Sequence, residues 1–278
     1  MLGVVPFLLI LVNIIMSFQG FRNQWFLDRY KFDVEKILVY KEYKRLLTSG
    51  FLHINWLHLI LNMLTLYWFS GLVEPELGTL AYTLIYVASL AGGDLFSLLV
   101  HKHDHSYTAV GASGAVFGIV FASIALFPNM GIRIFILPSF PAWMYGLAYV
   151  LYSIYGIRSR TDNVGHDAHL SGAVVGMLVA IAMRPGSLLQ NPLPILLVAL
   201  PAIVFIFIIV TRPHVLLVDN FFYKKQRKLY NIDQRYNAEK VDKQKELDRL
   251  LEKIHQKGMK SLSAKEKSTL AEYSKQLQ

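Results

Sequence analysis

Costly polar side chains are few inside the apolar runs of this chain: His58 and Asn62 in WLHLILNM, Asp94 in AGGDLF, Ser113 in GASG and His169 in DAHLSG. An ionisable side chain in hydrocarbon costs about 2.5 kcal/mol or more at mid-helix, so each one needs a partner or a task. A serine and a histidine together can perform acyl transfer, provided the hydroxyl comes within about 2.6 to 3.2 Å of the imidazole that takes its proton. The reaction also needs donors for the developing oxyanion. His58 and Asn62 are of the right kind, joined by the Ser113 backbone N–H if that residue opens a helix.

Each residue alone has a plainer explanation. A membrane serine commonly bonds the carbonyl four residues back. His58 and Asn62, four apart and so on one helix face, could be an interhelical packing pair worth ~0.6 kcal/mol each. What favours chemistry is the setting of His169. It is followed by Gly172 and Gly176, a face that admits another backbone closely, and Ser113 lies on a matching face of Gly111, Gly114 and Gly118. If these faces meet, hydroxyl and imidazole lie at one depth. The two helices are two steps apart in the order of spans, so both start on the same side, as does the helix of His58, two steps earlier.

The elements that must position these groups are membrane helices. The chain has 278 residues, 54% of them hydrophobic, with mean hydropathy +0.39. Seven spans are expected: 2–18, 55–73, 79–100, 113–127, 142–157, 168–183 and 193–210. The fourth to sixth are short and rich in small residues, which predicts that they form the centre. Residues 19–54 carry seven Lys/Arg among aromatic side chains, a mix that predicts a structured interfacial segment. The first run has neither a basic n-region nor a small-residue cleavage site, so it is expected to be retained as a helix. No cysteine is present, which excludes disulfides, thiolate catalysis and zinc–thiolate sites.

The net charge of +9 is mostly a tail property: residues 1–211 hold 12 Lys/Arg against 10 Asp/Glu, and residues 212–278 hold 16 against 9. A basic appendage after a membrane domain points to lipid headgroups or solubility, not nucleic acid. Residues 236–257 read as an amphipathic helix and SAKE (Ser263 to Glu266) as a capping box that opens a second one, carrying Leu270 and Tyr273. HKHDH, from His101 to His105, lacks a second ligand set, so no metal is expected. Asp167 is turned away from His169 by helix geometry. His166 reads as a loop residue just outside the helix and is the rival to His169 as a base.

Taken together and in this order, HLILN, GASGAVFG and AHLSGAVVG resemble the rhomboid intramembrane serine proteases over about residues 41–184. The resemblance implies Ser113 as nucleophile, His169 as general base, His58 and Asn62 at the oxyanion, and Gly111 leaving the hole's backbone unobstructed. It also implies Phe117 packed on the imidazole and His53 in a structural role near the site. A Trp-Arg pair common in the family's first long loop has only Arg45 as its counterpart, in YKRLLTSGF, and Asp94 matches no family role. The expected fold is an all-α polytopic membrane protein: a membrane domain over 1–211 with a six-helix core at 41–184 and a seventh helix at 193–210, then a helical tail over 212–278.

The implied activity is endoproteolysis of transmembrane protein substrates by a Ser-His dyad, with no cofactor, in the lipid bilayer of a bacterial inner membrane. The resemblance opens the site to the outer side, whereas the first, third and fifth connections hold 10 of the 12 Lys/Arg in residues 1–211, against the positive-inside rule. Two other classes remain: a silent rhomboid-like protein that binds membrane clients, and a small transporter using His58, Asn62, Asp94 and His169 as a polar pathway.

Overall fold

The computed structural model describes residues 2–132, 138–159 and 164–211, together with Leu250, Lys253, Ile254, Ser263 and Glu266. Each expected span falls on a helix: α1 (Val4–Arg22), α5 (Trp56–Leu77), α6 (Thr79–His101), α7 (Ser113–Leu126), α8 (Ala142–Ser159), α9 (His166–Met183) and α11 (Pro192–Thr211). Five of these, α1, α5, α6, α9 and α11, are long and apolar enough to cross a membrane, while α7 is apolar but shorter. The protein is thus an all-α integral membrane protein with several spans, as expected.

Between α1 and α5 the basic segment folds into α2 (Gln24–Tyr30), strand β1 (Phe32–Asp33), α3 (Val34–Leu38), α4 (Arg45–Thr48) and a 3-10 turn over Ser49–Phe51. Its short helices start where side chains satisfy the first free N–H groups: Asn23 accepts from Phe26 N and Asp33 from Lys36 N. Arg45 pins the segment from inside. Its buried guanidinium donates to Glu42 at 2.7 Å and to the carbonyls of Asp28 and Lys31 at 2.8 and 2.9 Å. The single arginine therefore anchors the loop without a tryptophan partner. Strand β1 pairs antiparallel with β2 (Thr108–Ala109), Phe32 opposite Ala109, and ties this segment to the loop that leads into Ser113.

Helix α7 is the axis of the bundle, with 12 of its 14 residues buried. It packs against α9, α6 and α5. The α7–α9 contact is backbone on backbone: a Cβ at Gly172 would run into the Gly114 carbonyl, and one at Gly176 into the Gly118 carbonyl. The two glycine faces do meet. At the far end Arg184, just past α9, pairs with Glu76 of α5.

One expectation about the centre fails. Helix α8 is not enclosed; Leu151, Tyr152 and Tyr155 are 54%, 50% and 65% exposed, and it packs chiefly on α11. Its small residues line one face only, and the long α6 takes the inner place. Glycines 92 and 93 make this possible, since a Cβ at either would press on Val175 or the Ala168 carbonyl of α9. Helix α10 (Gly186–Gln190) links α9 to α11.

The chain divides into two compact units, 1–216 and 217–278. In the second, the capping box is formed: Glu266 N donates to Ser263 Oγ at 3.2 Å, and Ser263 N donates back to Glu266 Oε2 at 2.8 Å. Leu250 is buried, and Lys253 donates to Glu266 at 2.8 Å. Most of the helix expected over 236–257 and the remainder of the second one, with Leu270 and Tyr273, lie outside the described residues.

Candidate active site

The glycine contact between α7 and α9 brings the first residue of one helix level with the fourth of the other. Ser113 Oγ lies 2.5 Å from His169 Nε2. Ser113 is 8% exposed, so it is sheltered from solvent. As the first residue of α7 it carries a backbone N–H that the helix leaves unbonded.

The other ring nitrogen of His169 also has a partner. Tyr149 of α8 lies with its hydroxyl 3.1 Å from His169 Nδ1. Phe117, one turn after Ser113, has its centroid 5.1 Å from the imidazole and stacks on Tyr149 at 4.0 Å with a 20° tilt. The imidazole is therefore bounded by a hydroxyl at each nitrogen and an aromatic face beside it. Tyr149 was not singled out from the sequence, because a tyrosine in AYVLYSIY looks like any packing aromatic. Only a polar atom opposite it reveals a task.

On the other flank, α5 starts with Asn55 accepting from His58 N at 2.8 Å, which sets the first turn and with it the His58 side chain. The His58 ring faces Gly111: a Cβ on that glycine would be 2.9 Å from His58 Cε1 and 3.3 Å from Ser113 Oγ. Gly111 also has φ +146°, a conformation that side chains rarely adopt. Hence His58, Gly111 and Ser113 border one small space. Asn62 is turned differently. Its amide donates to the His58 carbonyl on its own helix at 2.9 Å, leaving its second N–H for another acceptor.

Supporting groups hold the rim. His53, fully buried, has Nδ1 2.9 Å from Ser17 Oγ of α1 and accepts from Ala112 N at 3.5 Å. Burial first, and the adjacent His58 second, push its pKa down to about 3, so it is neutral at ordinary pH. Asp94 meets Ser49 Oγ at 2.8 Å.

His166 and His101 take other places, His166 with its ring 6.3 Å from that of His169. His166 is not a loop residue: it is the first residue of α9, 2% exposed, packed edge-on against Tyr152 at 4.9 Å. The apolar pattern begins only at Ala168, but the helix starts two residues earlier because α8 covers that turn. Asp167 pairs with His101 at 3.3 Å, away from the dyad, and His101 stacks on Tyr107 at 3.6 Å.

Comparison with known proteins bears on what this arrangement is for. Residues 40–186 match the model of the Rhomboid domain, and residues 230–276 match a family of unknown function (DUF6576). The chain is 30% identical over 156 residues to RHOMBOID-like protein 12, mitochondrial, of Arabidopsis thaliana, covering 51% of this chain and 46% of that protein. To Rhomboid protein 1, mitochondrial, of Saccharomyces cerevisiae it is 34% identical over 134 residues, covering 47% and 39%. To Rhomboid-like protein 11, chloroplastic, of Arabidopsis thaliana it is 35% identical over 144 residues, covering 48% and 49%. The chain thus spans about half the length, or less, of these relatives. Their names point to mitochondria and chloroplasts, so a bacterial inner membrane finds no support in them.

Proposed function

Because the chain belongs to the rhomboid family, whose membership supports an intramembrane protease-type function, we propose that it is a serine endopeptidase that cuts transmembrane protein substrates with Ser113 and His169. The observation that carries this reading is the 2.5 Å contact between Ser113 Oγ and His169 Nε2 at the buried end of two packed helices. In the proposed reaction Ser113 Oγ attacks the scissile carbonyl while its proton passes to Nε2. Before the transfer Nδ1–H donates to the Tyr149 oxygen, which keeps the accepting lone pair on Nε2; after it the same bond spreads the imidazolium charge. The carbonyl oxygen becomes an oxyanion in the space bordered by His58, Gly111 and the Ser113 N–H, with the spare N–H of Asn62 as a further donor. His169 returns its proton to the leaving amine, and water hydrolyses the acyl-enzyme by the same steps. No cofactor enters.

The same reading takes 1–211 as the membrane domain, with its core at 41–184 and an added helix at 193–210, and 212–278 as a basic appendage. Two compact units and two separate family matches support this division.

The test is labelling of the full chain with a serine-directed fluorophosphonate, alongside cleavage of a single-span model substrate. Wild type should label and cleave, and Ser113→Ala should do neither, with cleavage down on the order of 10⁴-fold or more. Tyr149→Phe, losing about 1 kcal/mol of hydrogen bonding, should slow turnover ~5-fold. Labelling that survives Ser113→Ala refutes the nucleophile. A wild type that binds the substrate but never cuts it would be the silent client-binding protein instead.

A further inference from the structure

The buried carboxyl of Asp94 takes no part in the steps above. We propose that Asp94 is a positioning residue that sets the oxyanion loop through Ser49, an inference that rests on the proteolytic reading of the site. The link runs through three contacts. Asp94 Oδ2 of α6 lies 2.8 Å from Ser49 Oγ. The Ser49 carbonyl accepts the Gly111 N–H at 3.1 Å. Gly111 in turn borders both His58 and Ser113.

The register of this loop shows what the link accomplishes. Gly111 N–H is tied to Ser49, and the next one, Ala112 N–H, to His53 Nε2 at 3.5 Å. The third, on Ser113, is the first left for an oxyanion. Two successive peptides are thus oriented by the segment 49–53, and the donor that follows is aimed by them. That segment is fixed from one side by Arg45. Asp94 fixes it from the other, across 45 residues of chain. Slackening there would turn the Val110–Gly111 peptide and displace the donor without disturbing the Ser113–His169 contact, which the α7–α9 glycines set independently.

A proton count specifies how Asp94 acts. Ser49 Oγ is 2.6 Å from the Arg45 carbonyl and 2.8 Å from Asp94 Oδ2, both acceptors, yet it has one hydrogen. Both hydrogen bonds are complete when Asp94 brings a proton of its own and donates it to Ser49 Oγ, which donates onward to Arg45 O. A carboxamide can do the same. Asparagine should therefore replace Asp94, whereas a residue without a donor should not.

The experiment measures substrate cleavage by the full chain, with kcat normalised to sites labelled by fluorophosphonate at the end point of labelling, so that a slower labelling rate does not lower the count. Asp94→Leu and Ser49→Ala should each lower kcat about 10- to 100-fold, with KM within about twofold, and Asp94→Asn should keep most of the wild-type kcat. A merely structural role would reduce the labelled fraction and the melting temperature while leaving kcat per labelled site unchanged, and that result overturns the proposal. If Asp94→Leu fails to fold, Ser49→Ala and Asp94→Asn decide: a wild-type kcat in the first, or a collapsed kcat in the second, overturns it. Cleavage that persists in Ser113→Ala would overturn the proteolytic reading itself. Loss in Ser113→Ala with no change in Ser49→Ala overturns only the role of Asp94.

Discussion

The two halves of the proposed site, one for the Ser-His dyad and one for the oxyanion, are built from different materials. The dyad half rests on main chain: glycines of α9 lie against carbonyls of α7, with no side chain between them. The oxyanion half rests on side chains: Asn55 caps α5, Asn62 bonds the His58 carbonyl, His53 reaches Ser17 and Ala112, and Arg45 and Ser49 hold the loop. A backbone contact has few alternative arrangements, because moving either helix costs every close contact along the seam. Each hydrogen-bonded side chain is worth about 1 kcal/mol and can swing away alone. In the proposed reaction the nucleophile is thus preset, and the rate should be tuned mainly on the other side.

The largest effect should come from wedging the seam. Gly176→Leu would drive a side chain into the Gly118 backbone, which cannot rotate aside as a neighbouring side chain could. We expect loss of a folded, monodisperse protein or a fall of several kcal/mol in stability, beyond the usual 1–3 kcal/mol of overpacking, and no serine labelling. Gly71, with open space around its α-carbon on α5, is the control: Gly71→Leu should fold and label. Equal damage from both would mean that the seam has no special status.

The seam was legible in the sequence because glycines at four-residue spacing on two apolar helices leave a periodic trace, and the polar residues beside them stand out against hydrocarbon. Ser113, His169, His58 and Asn62 stand out that way, whereas the role of Gly111 comes only from the family resemblance, and the glycine faces do bring the first two together. The side-chain half left a fainter trace. Ser49 and Asp94 meet across 45 residues with no period to announce them, and Tyr149 hides among aromatics whose hydropathy is the same with or without a partner. The misplacement of α8 has the same origin: its length and small residues suggested enclosure, while its outward tyrosines suit a lipid boundary equally well.

Next in size comes the oxyanion half itself. His58→Ala removes a group whose ring faces Gly111 while leaving the seam intact, so kcat should fall about 10²-fold with KM little changed. Labelling would slow, since phosphonylation uses the same donors, but the thermal midpoint should stay within a few degrees. A large stability loss would instead assign His58 to packing and erase the proposed division between the halves.

The smallest effect separates the halves by pH. His53 lies outside the spanning helices, between the 3-10 turn and α5, and burial with the nearby His58 holds its pKa to about 3, against ~6.5 in the unfolded chain. The unfolded state therefore takes up a proton first as pH falls. Stability from neutral His53 is complete above pH ~6.5 and is lost progressively toward pH ~3, at up to about 1.4 kcal/mol per pH unit. Between pH 6.5 and 5 this amounts to about 1.6 kcal/mol, a few degrees in melting temperature for a domain of this size. His53→Gln keeps an acceptor for Ala112 N–H but cannot titrate, so its melting temperature should start lower and fall less over that interval. The α7–α9 contact, made of glycines and carbonyls, supplies no such slope. An unchanged slope in His53→Gln would show that acid sensitivity arises outside the oxyanion half, and that the side-chain scaffold is no more exposed to pH than the backbone one.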